Sequence, residues 1–181
     1  QCYDQLAGYI SGIAHQYQAE VGFVVRRIKD PVLAGFLLGK LSHAREAGVN
    51  LILSENSFLP EPADQEVIPE LVTIVGNLVN NAFEAVADST VKYIKIACNY
   101  NEGRLLIEVS DSGAGMAEEQ KNRLFTKGYS TKANNRGLGL FLVQHSLARI
   151  GGGIEVFSEK EKGTRFVVSV PYLGVGDNNN D

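Results

Sequence analysis

The sequence feature that most constrains the fold is an acidic residue, followed by two closely spaced glycines, at the end of a strand pattern. Residues 105–107 are apolar, and counting by two from Ile107 through Val109 places Asp111 on the same face. A carboxylate on an inward face is costly unless neighbouring groups donate hydrogen bonds to it. The glycines of residues 111–115 (DSGAG) permit a sharp turn and a close approach to a ligand. Taken alone, this stretch fits either a tight turn with a solvated Asp or a buried acid at a ligand site.

Length and composition exclude several classes of protein. The 181 residues fit one domain with an appendage or one large domain, and the 44% apolar content is ordinary for a globular core. A net charge of −4 without a dominant basic cluster argues against nucleic-acid binding. Cys2 and Cys98 form no metal-ligand pattern, which favours a reducing compartment. No apolar run approaches the ~20 residues of a membrane span, and no signal peptide is recognisable.

The N-terminal part is predicted to be helical. Residues 1–47 keep a helical spacing of apolar side chains, interrupted at Asp30-Pro31, and Gly48 is expected to end the second helix. Residues 33–41 are apolar nearly all round, which indicates burial against another helix, from a second copy or from the neighbouring domain. The chain begins in mid-pattern at Gln1 without a methionine, so we expect a fragment of a longer protein.

Residues 64–88 form the most clearly indicated helix, with Asp64 and Glu66 suited to its first turn. One stripe of this helix is apolar and consists of Leu71, Val75, Leu78, Ala82 and Val86. A second stripe beside it consists of Asn77, Asn81 and Glu84. Asn within a helix costs roughly 0.5 kcal/mol relative to Ala. The polar stripe is therefore either a solvated face or a set of oxygen ligands for a hard cation.

The remaining elements alternate strands with short helices. Strands are predicted at residues 49–53, 91–98, 104–110, 154–158 and 164–171, and helices at 117–124 and 141–150. The turn around residues 101–103 should join an antiparallel pair. Residues 126–135 read as a mobile loop that offers cations and hydroxyls to an anion.

Glycines also open the last predicted helix. Residues 136–140 (RGLGL) lead directly into it, so its first N–H groups could bind phosphate. Neither a G-x-x-x-x-G-K-[ST] nor a G-x-G-x-x-G motif occurs, which excludes P-loop and dinucleotide-binding readings. The Asn- and Asp-rich tail, residues 174–181, is expected to be disordered.

Taken together, these motifs resemble the ATP-binding domain of the GHKL superfamily, which includes gyrase-type ATPases, Hsp90, MutL and sensor histidine kinases. Residues 77–82 (NLVNNA) look like the N box, 111–115 the G1 box, Phe125 with Lys127 the F box, 137–140 (GLGL) the G2 box, and 162–164 (KGT) the last glycine-threonine element. The resemblance covers residues 50–171. It implies an α+β fold, the two-layer Bergerat sandwich with helices on one face of a mixed sheet, preceded here by N-terminal helices.

The resemblance also implies a set of ATP- and Mg²⁺-binding residues. Asn81 would bind the Mg²⁺, Asp111 would accept a hydrogen bond from the adenine amino group, and Thr164 would support that contact. Lys127, Thr131 and Lys132 would lie in a lid over the phosphates. The full set implied at the nucleotide is Asn77, Asn81, Asp111, Gly113, Gly115, Met116, Phe125, Lys127, Thr131, Lys132, Gly137, Leu138, Gly139, Leu140 and Thr164.

One position favours phosphoryl transfer over hydrolysis. The gyrase and Hsp90 branches carry a Glu four residues before the Mg²⁺-binding Asn, where it activates water. Here that position is Asn77, and a carboxamide cannot take a proton from water at neutral pH. The alternatives left open are an ATPase that uses hydrolysis for conformational change and a nucleotide-binding module without catalysis.

The N-terminal helices narrow the resemblance further. Residues 29–40 (KDPVLAGFLLGK) resemble the second helix of the dimerisation hairpin in bacterial citrate and C4-dicarboxylate sensor kinases, the CitA/DcuS type. In that family the phosphoacceptor His is followed by an acidic residue, Phe and Asn. None of His15, His43 and His145 has this context, so the acceptor is expected before Gln1. Glu84 departs from the Lys that many histidine kinases carry there, which leaves its role open.

The expected organisation follows from this resemblance. Residues 1–47 would be the remnant of the dimerisation hairpin, 48–173 the catalytic ATP-binding domain, and 174–181 the tail. The expected partners are ATP, a response-regulator receiver domain and a second copy of the chain, with no nucleic acid and no membrane contact by this fragment. The expected setting is the cytoplasmic side of an inner-membrane sensor.

Overall fold

The order of helices and strands follows the sequence prediction closely. The computed structural model describes residues 2–126 and 138–177, of which residues 2–11 and 13 are described by their backbone alone. Its elements are α1 Cys2–Arg27, α2 Pro31–Glu46, β1 Asn50–Leu53, α3 Val67–Val86, β2 Tyr93–Asn101, β3 Arg104–Asp111, α4 Glu118–Arg123, α5 Gly139–Ile150, β4 Gly153–Ser158 and β5 Thr164–Pro171. Within these residues, no helix has both the length and the apolar character needed to cross a membrane.

The sheet is mixed and is covered by helices on one face. Its strand order is β1-β2-β3-β5-β4, with β1 parallel to β2 and the other pairs antiparallel. Glu102 and Gly103 both have positive φ, as the tight turn between β2 and β3 requires. Along β3, Leu105 and Ile107 are fully buried under α3, while Leu106 between them is 44% exposed. The α+β two-layer sandwich is therefore confirmed.

The apolar stripe of α3 forms the centre of the core, as predicted. Its five members are all buried, and Ile68, Ile74 and Val79 extend the buried surface. The helix begins at Val67 rather than at residue 64, because the Asp64 carboxylate accepts from the Glu66 N–H at 2.9 Å and forms a turn ahead of the helix. The acidic residue in its first turn is Glu70.

The two N-terminal helices are separated where Asp30-Pro31 predicted a break. Asp30 caps α2 by accepting from the Leu33 N–H at 2.8 Å, and Pro31 occupies the first turn. Leu33 and Leu37 are buried inside this chain, where α2 contacts α1, α3 and β1. The Phe36 ring of α2 lies against Gly76 of α3. Of the two alternatives for this apolar helix, packing against its own chain therefore accounts for its buried side chains.

Two of the first four residues of the predicted disordered tail, Val175 and Asp177, are hydrogen-bonded to the domain, which corrects that expectation for residues 174–177. The Val175 N–H donates to the Glu61 carbonyl at 2.8 Å, and Gly174 forms an antiparallel bridge with Pro62. The Tyr100 hydroxyl is hydrogen-bonded to the Asp177 carboxylate. Composition alone could not reveal that residues 61–63 offer this segment a backbone partner. Residues 178–181 lie outside the described residues.

We predict that Leu71→Ala lowers the free energy of unfolding by about 2–5 kcal/mol, because Leu71 is fully buried in α3 and its truncation leaves a cavity. Urea denaturation measures the change. Val91→Ala is the control, since that side chain is 64% exposed and should shift the free energy by less than about 0.5 kcal/mol. Equal effects of the two substitutions would contradict the assignment of α3 to the core.

Candidate functional site

Three polar side chains form a row at the end of the helix-covered face of the sheet. Asp111 at the end of β3 pairs with Thr164 at the start of β5, and Thr164 pairs with Ser158 at the end of β4. Directly paired residues of neighbouring strands point to the same face. Ile94, the next residue in this row, is fully buried. The apolar inner face of the sheet thus ends in a polar row, which consists of Asp111, Thr164 and Ser158.

Asp111 is half-buried and receives hydrogen bonds, as the strand pattern predicted for an inward-facing acid. The Gly113 N–H donates to its Oδ1 at 2.8 Å, and the backbone N–H of Thr164 also donates to the carboxylate. Burial raises the pKa of the Asp111 carboxyl above its ordinary value, and the two N–H donors partly offset that rise. A carboxylate has about four lone-pair sites, so acceptor capacity remains for a ligand. A cavity at the ends of β3, β4 and β5 is lined by Asp111 and Thr164 together with Ser110, Phe157 and Arg165, which belong to the opposite face of the sheet.

The glycines after Asp111 are required by contacts within the protein itself. Gly115 has φ of +65°, and a Cβ there would lie 1.9 Å from the Glu159 carbonyl oxygen. A Cβ on Gly113 would lie 2.7 Å from the Ala85 carbonyl oxygen at the end of α3. The close backbone approach predicted for a ligand is thus already used by the loop's own packing. Contact of Gly113 and Gly115 with a nucleotide stays a prediction.

The polar stripe of α3 meets the first residue of α5. A methyl group on Gly139 would lie 3.1 Å from Asn77 Oδ1 and 3.7 Å from Asn81 Oδ1. The Asn77 Nδ2 donates to the Thr73 carbonyl at 2.7 Å, which directs its Oδ1 toward α5. Both carboxamides are only half-buried, so a ligand can reach them. The structure therefore brings two carboxamide oxygens and a helix N-terminus together.

The N-terminus of α5 has the features of an anion site. The helix begins at Gly139, two residues earlier than predicted, and Leu138 at the N-cap has no side-chain acceptor for the first N–H groups. Such groups and the helix dipole favour a negatively charged ligand. Leu140 packs against the core and helps to fix the direction of the helix.

The protein ligands at this site fit Mg²⁺ only if the phosphates of a nucleotide supply further ligands. In the part of the chain that the structure describes, no group of three His, Cys, Asp or Glu side chains could hold a metal ion. Mg²⁺ commonly takes few protein ligands and completes its shell with water and substrate phosphates. Asn81, half-buried beside the start of α5, fits that pattern as a single protein ligand.

The other predicted site residues fall into three groups. Met116 follows the glycine loop, and its N–H donates to the Ser158 hydroxyl at 2.9 Å. Phe125 is half-buried in the turn after α4. The remaining predicted contacts, Lys127, Thr131, Lys132 and Gly137, lie outside the described residues.

Ser158 is the site residue that sequence reasoning missed. It is buried and contacts both the glycine loop and Thr164. The signal that could have identified it is its position across the turn of residues 159–163 from Thr164, because a hairpin places such residues opposite each other. Glu84 continues the α3 stripe and is exposed, and its role stays open. His15, His43 and His145 are exposed surface residues.

Comparisons with known proteins show which family the chain belongs to. Residues 66–174 match the family described as histidine kinase-, DNA gyrase B- and HSP90-like ATPase. The chain is 40% identical over 176 residues to the sensor histidine kinase DcuS of Escherichia coli strain K12, covering 97% of this chain and 32% of DcuS. It is 42% identical over 135 residues to the sensor protein CitS of Bacillus subtilis strain 168, covering 75% of this chain and 25% of CitS. The chain thus spans about a third or less of the length of these relatives.

The fold has solved counterparts. The crystal structure of full-length ShkA in complex with AMPPNP superimposes with a TM-score of 0.64 at 24% identity, over 77% of this chain and 30% of that one. This likeness concerns the fold, and it agrees with the α+β sandwich described above. On the family match, the sequence identities and the fold together, the chain belongs to the histidine kinase-, DNA gyrase B- and HSP90-like ATPases, as an ATP-binding catalytic domain of the CitA/DcuS sensor-kinase type.

Proposed function

We propose that this chain binds ATP with Mg²⁺ and donates the γ-phosphoryl group to a histidine outside residues 1–181. From that histidine the group would pass to an aspartate of a response-regulator receiver domain. DcuS and CitS, the similar proteins, are named as a sensor histidine kinase and a sensor protein. None of the three histidines of this chain has the sequence context of a phosphoacceptor in that family.

The observation that carries the proposal is the meeting of Asn77 and Asn81 with the first residue of α5. Carboxamide oxygens bind a hard cation, and an uncapped helix N-terminus binds an anion. A metal–polyphosphate group satisfies both at once. Asp111 lies at the end of β3, in the same layer between sheet and helices, and offers the acceptor that an adenine amino group needs.

Asn77 supports phosphoryl transfer rather than hydrolysis. A carboxamide has no basic atom at neutral pH, so it cannot remove a proton from an attacking water. Its Nδ2 is also engaged with the Thr73 carbonyl at 2.7 Å. A neutral imidazole needs no such base, and in-line attack then depends on positioning and on charge neutralisation. Mg²⁺, when bound, would supply part of that neutralisation, with Asn81 as its protein ligand.

The rest of the proposal concerns the whole protein. Residues 1–47 would be part of a dimerisation hairpin, and residues 48–173 the catalytic domain. The long helix α1 leaves Tyr17 and Val25 exposed, which suits a contact with a second copy. We further propose that the domain works on the cytoplasmic side of an inner-membrane sensor. We also propose phosphate contacts for Lys127, Thr131, Lys132 and Gly137.

We predict that Asp111→Asn weakens ADP binding by tenfold or more, because a hydrogen bond to a charged acceptor contributes about 1.5–3 kcal/mol. Calorimetric titration with Mg-ADP measures the affinity. Glu55→Gln is the control, since Glu55 is an exposed carboxylate that follows Leu53 at the end of β1, remote from the Ile94–Asp111 pair, and its loss should leave affinity unchanged. Equal affinities of the Asp111 variant and the unaltered chain would refute the role of Asp111 at the base.

We predict that Asn81→Ala abolishes most of the gain in ADP affinity that Mg²⁺ provides. The measurement compares binding with Mg²⁺ and with EDTA for each variant. Asn80→Ala is the matched control, because the Asn80 Oδ1 accepts from Lys40 of α2 at 2.7 Å and faces away from α5. A Mg²⁺-dependent gain that survives in the Asn81 variant would place the metal elsewhere.

The direct test of transfer supplies the acceptor. The chain is mixed with the upstream segment of its own gene product and γ-labelled ATP, and base-stable, acid-labile phosphate is sought on that segment. We expect label on the segment and little release of free phosphate. Rapid phosphate release without labelling would instead favour the ATPase alternative, and ADP binding with neither labelling nor phosphate release would favour a nucleotide-binding module without catalysis.

A further inference from the structure

We propose that Ser158 is a positioning residue that fixes the direction of the Thr164 hydroxyl, so that Thr164 meets the purine only as a hydrogen-bond acceptor. The site would thereby select a 6-amino purine over a 6-oxo purine. This inference rests on the proposed function, because it requires the base to lie at Asp111 and Thr164.

Ser158 has three hydrogen-bonding neighbours at the same distance. Its Oγ lies 2.9 Å from the Met116 nitrogen, 2.9 Å from the Gly163 carbonyl oxygen and 2.9 Å from the Thr164 Oγ1. Ser158 and Thr164 are 9% and 7% exposed, so water does not compete freely for these bonds. The hydroxyl therefore joins the end of the glycine loop, the β4–β5 turn and the polar row.

The chemistry of these neighbours leaves one assignment of protons that makes all three bonds. A hydroxyl has one proton to donate and two lone pairs to accept with. The Met116 N–H can only donate, and the Gly163 carbonyl can only accept. Ser158 therefore gives its proton to Gly163, and Thr164 must give its own proton to Ser158.

The Gly163 carbonyl is held in place by the backbone around it. Gly163 has φ of +82°, and a Cβ there would lie 2.0 Å from the Asp111 carbonyl oxygen. This close approach fixes the turn against β3, so the carbonyl that receives the Ser158 proton cannot swing away without breaking the pairing of Asp111 with Thr164.

The consequence for a ligand is a pair of adjacent acceptors. With its proton directed at Ser158, the Thr164 hydroxyl offers lone pairs only, next to the Asp111 carboxylate. The 6-amino group of adenine is a donor, which suits such a pair, whereas the 6-oxo group of hypoxanthine or guanine is an acceptor. The 6-oxo group would place its lone pairs against those of Thr164 and Asp111, and this repulsion costs binding free energy.

The test compares ADP with IDP. The purine of ADP carries a 6-amino group, whereas that of IDP carries a 6-oxo group and a proton on N1, and the two nucleotides are otherwise identical. Affinities for both, with Mg²⁺, are measured on the chain, on Ser158→Ala and on Thr164→Val. We expect the unaltered chain to bind ADP more tightly than IDP. In Ser158→Ala the ratio of ADP affinity to IDP affinity should fall about tenfold, because the Thr164 hydroxyl becomes free to donate. Ser158→Thr, which keeps the hydroxyl, should restore it.

A purely structural role for Ser158 would weaken both nucleotides equally, and an unchanged ADP-to-IDP ratio in Ser158→Ala would overturn the inference. The Thr164→Val, Ser158→Ala double variant should show the same ratio as Thr164→Val alone, since Ser158 acts through that hydroxyl. If Ser158→Ala does not fold, Thr164→Val decides: an undiminished preference for ADP overturns the inference. An unaltered chain that binds neither nucleotide would refute the proposed function instead.

Discussion

The backbone pairing between the end of β3 and the start of β5 is the constraint on which the site depends. It sets Asp111 beside Thr164, continues to Ser158 on β4, and lets the Thr164 N–H donate to the carboxylate. Without β5, the Gly113 N–H of the following loop would be the remaining described donor to the Asp111 carboxylate. The donors partly compensate for burial and leave an acceptor whose position is set by a sheet rather than by a loop.

Helix α3 uses three of its faces for three purposes. Its apolar stripe forms the core under β3, and its Asn77–Asn81 edge meets the start of α5. Its third side carries Gly76 and Asn80, which contact Phe36 and Lys40 of α2. Neighbouring residues of one helix point about 100° apart, so Asn80 and Asn81 serve different surfaces although they are adjacent in sequence. The long predicted helix therefore ties the N-terminal helices and the site to one core.

Much of the fold and part of the site could be predicted from the sequence, and the reasons differ. Alternation along residues 105–111 and the heptad-like stripe of α3 identify strand, helix and buried face, because those patterns follow directly from backbone geometry. The order of the glycine motifs then indicates the family. By contrast, the position of Ser158 across a short turn from Thr164 is visible in the sequence, but its bond from the Met116 N–H comes from a loop 42 positions earlier that no spacing reports. The attachment of residues 174–177 was missed for the same reason, since its partner lies about 110 positions earlier.

The motif of residues 111–115 combines glycines that packing requires with an acid for which a ligand contact is proposed, and the packing of the loop distinguishes the two. Gly113 and Gly115 are needed because carbonyl groups of α3 and of the β4–β5 turn leave no room for a side chain, whether or not a nucleotide is present. The Asp111 side chain, in contrast, is not one of the groups that approach Gly113 and Gly115 most closely, although its Oδ1 accepts from the Gly113 N–H at 2.8 Å. In a related chain, retained glycines would therefore report that the architecture is intact, and, on the role proposed for Asp111, the acidic residue would report that the base is still bound. A chain with the glycines but without the acid would be a preserved fold with a lost ligand.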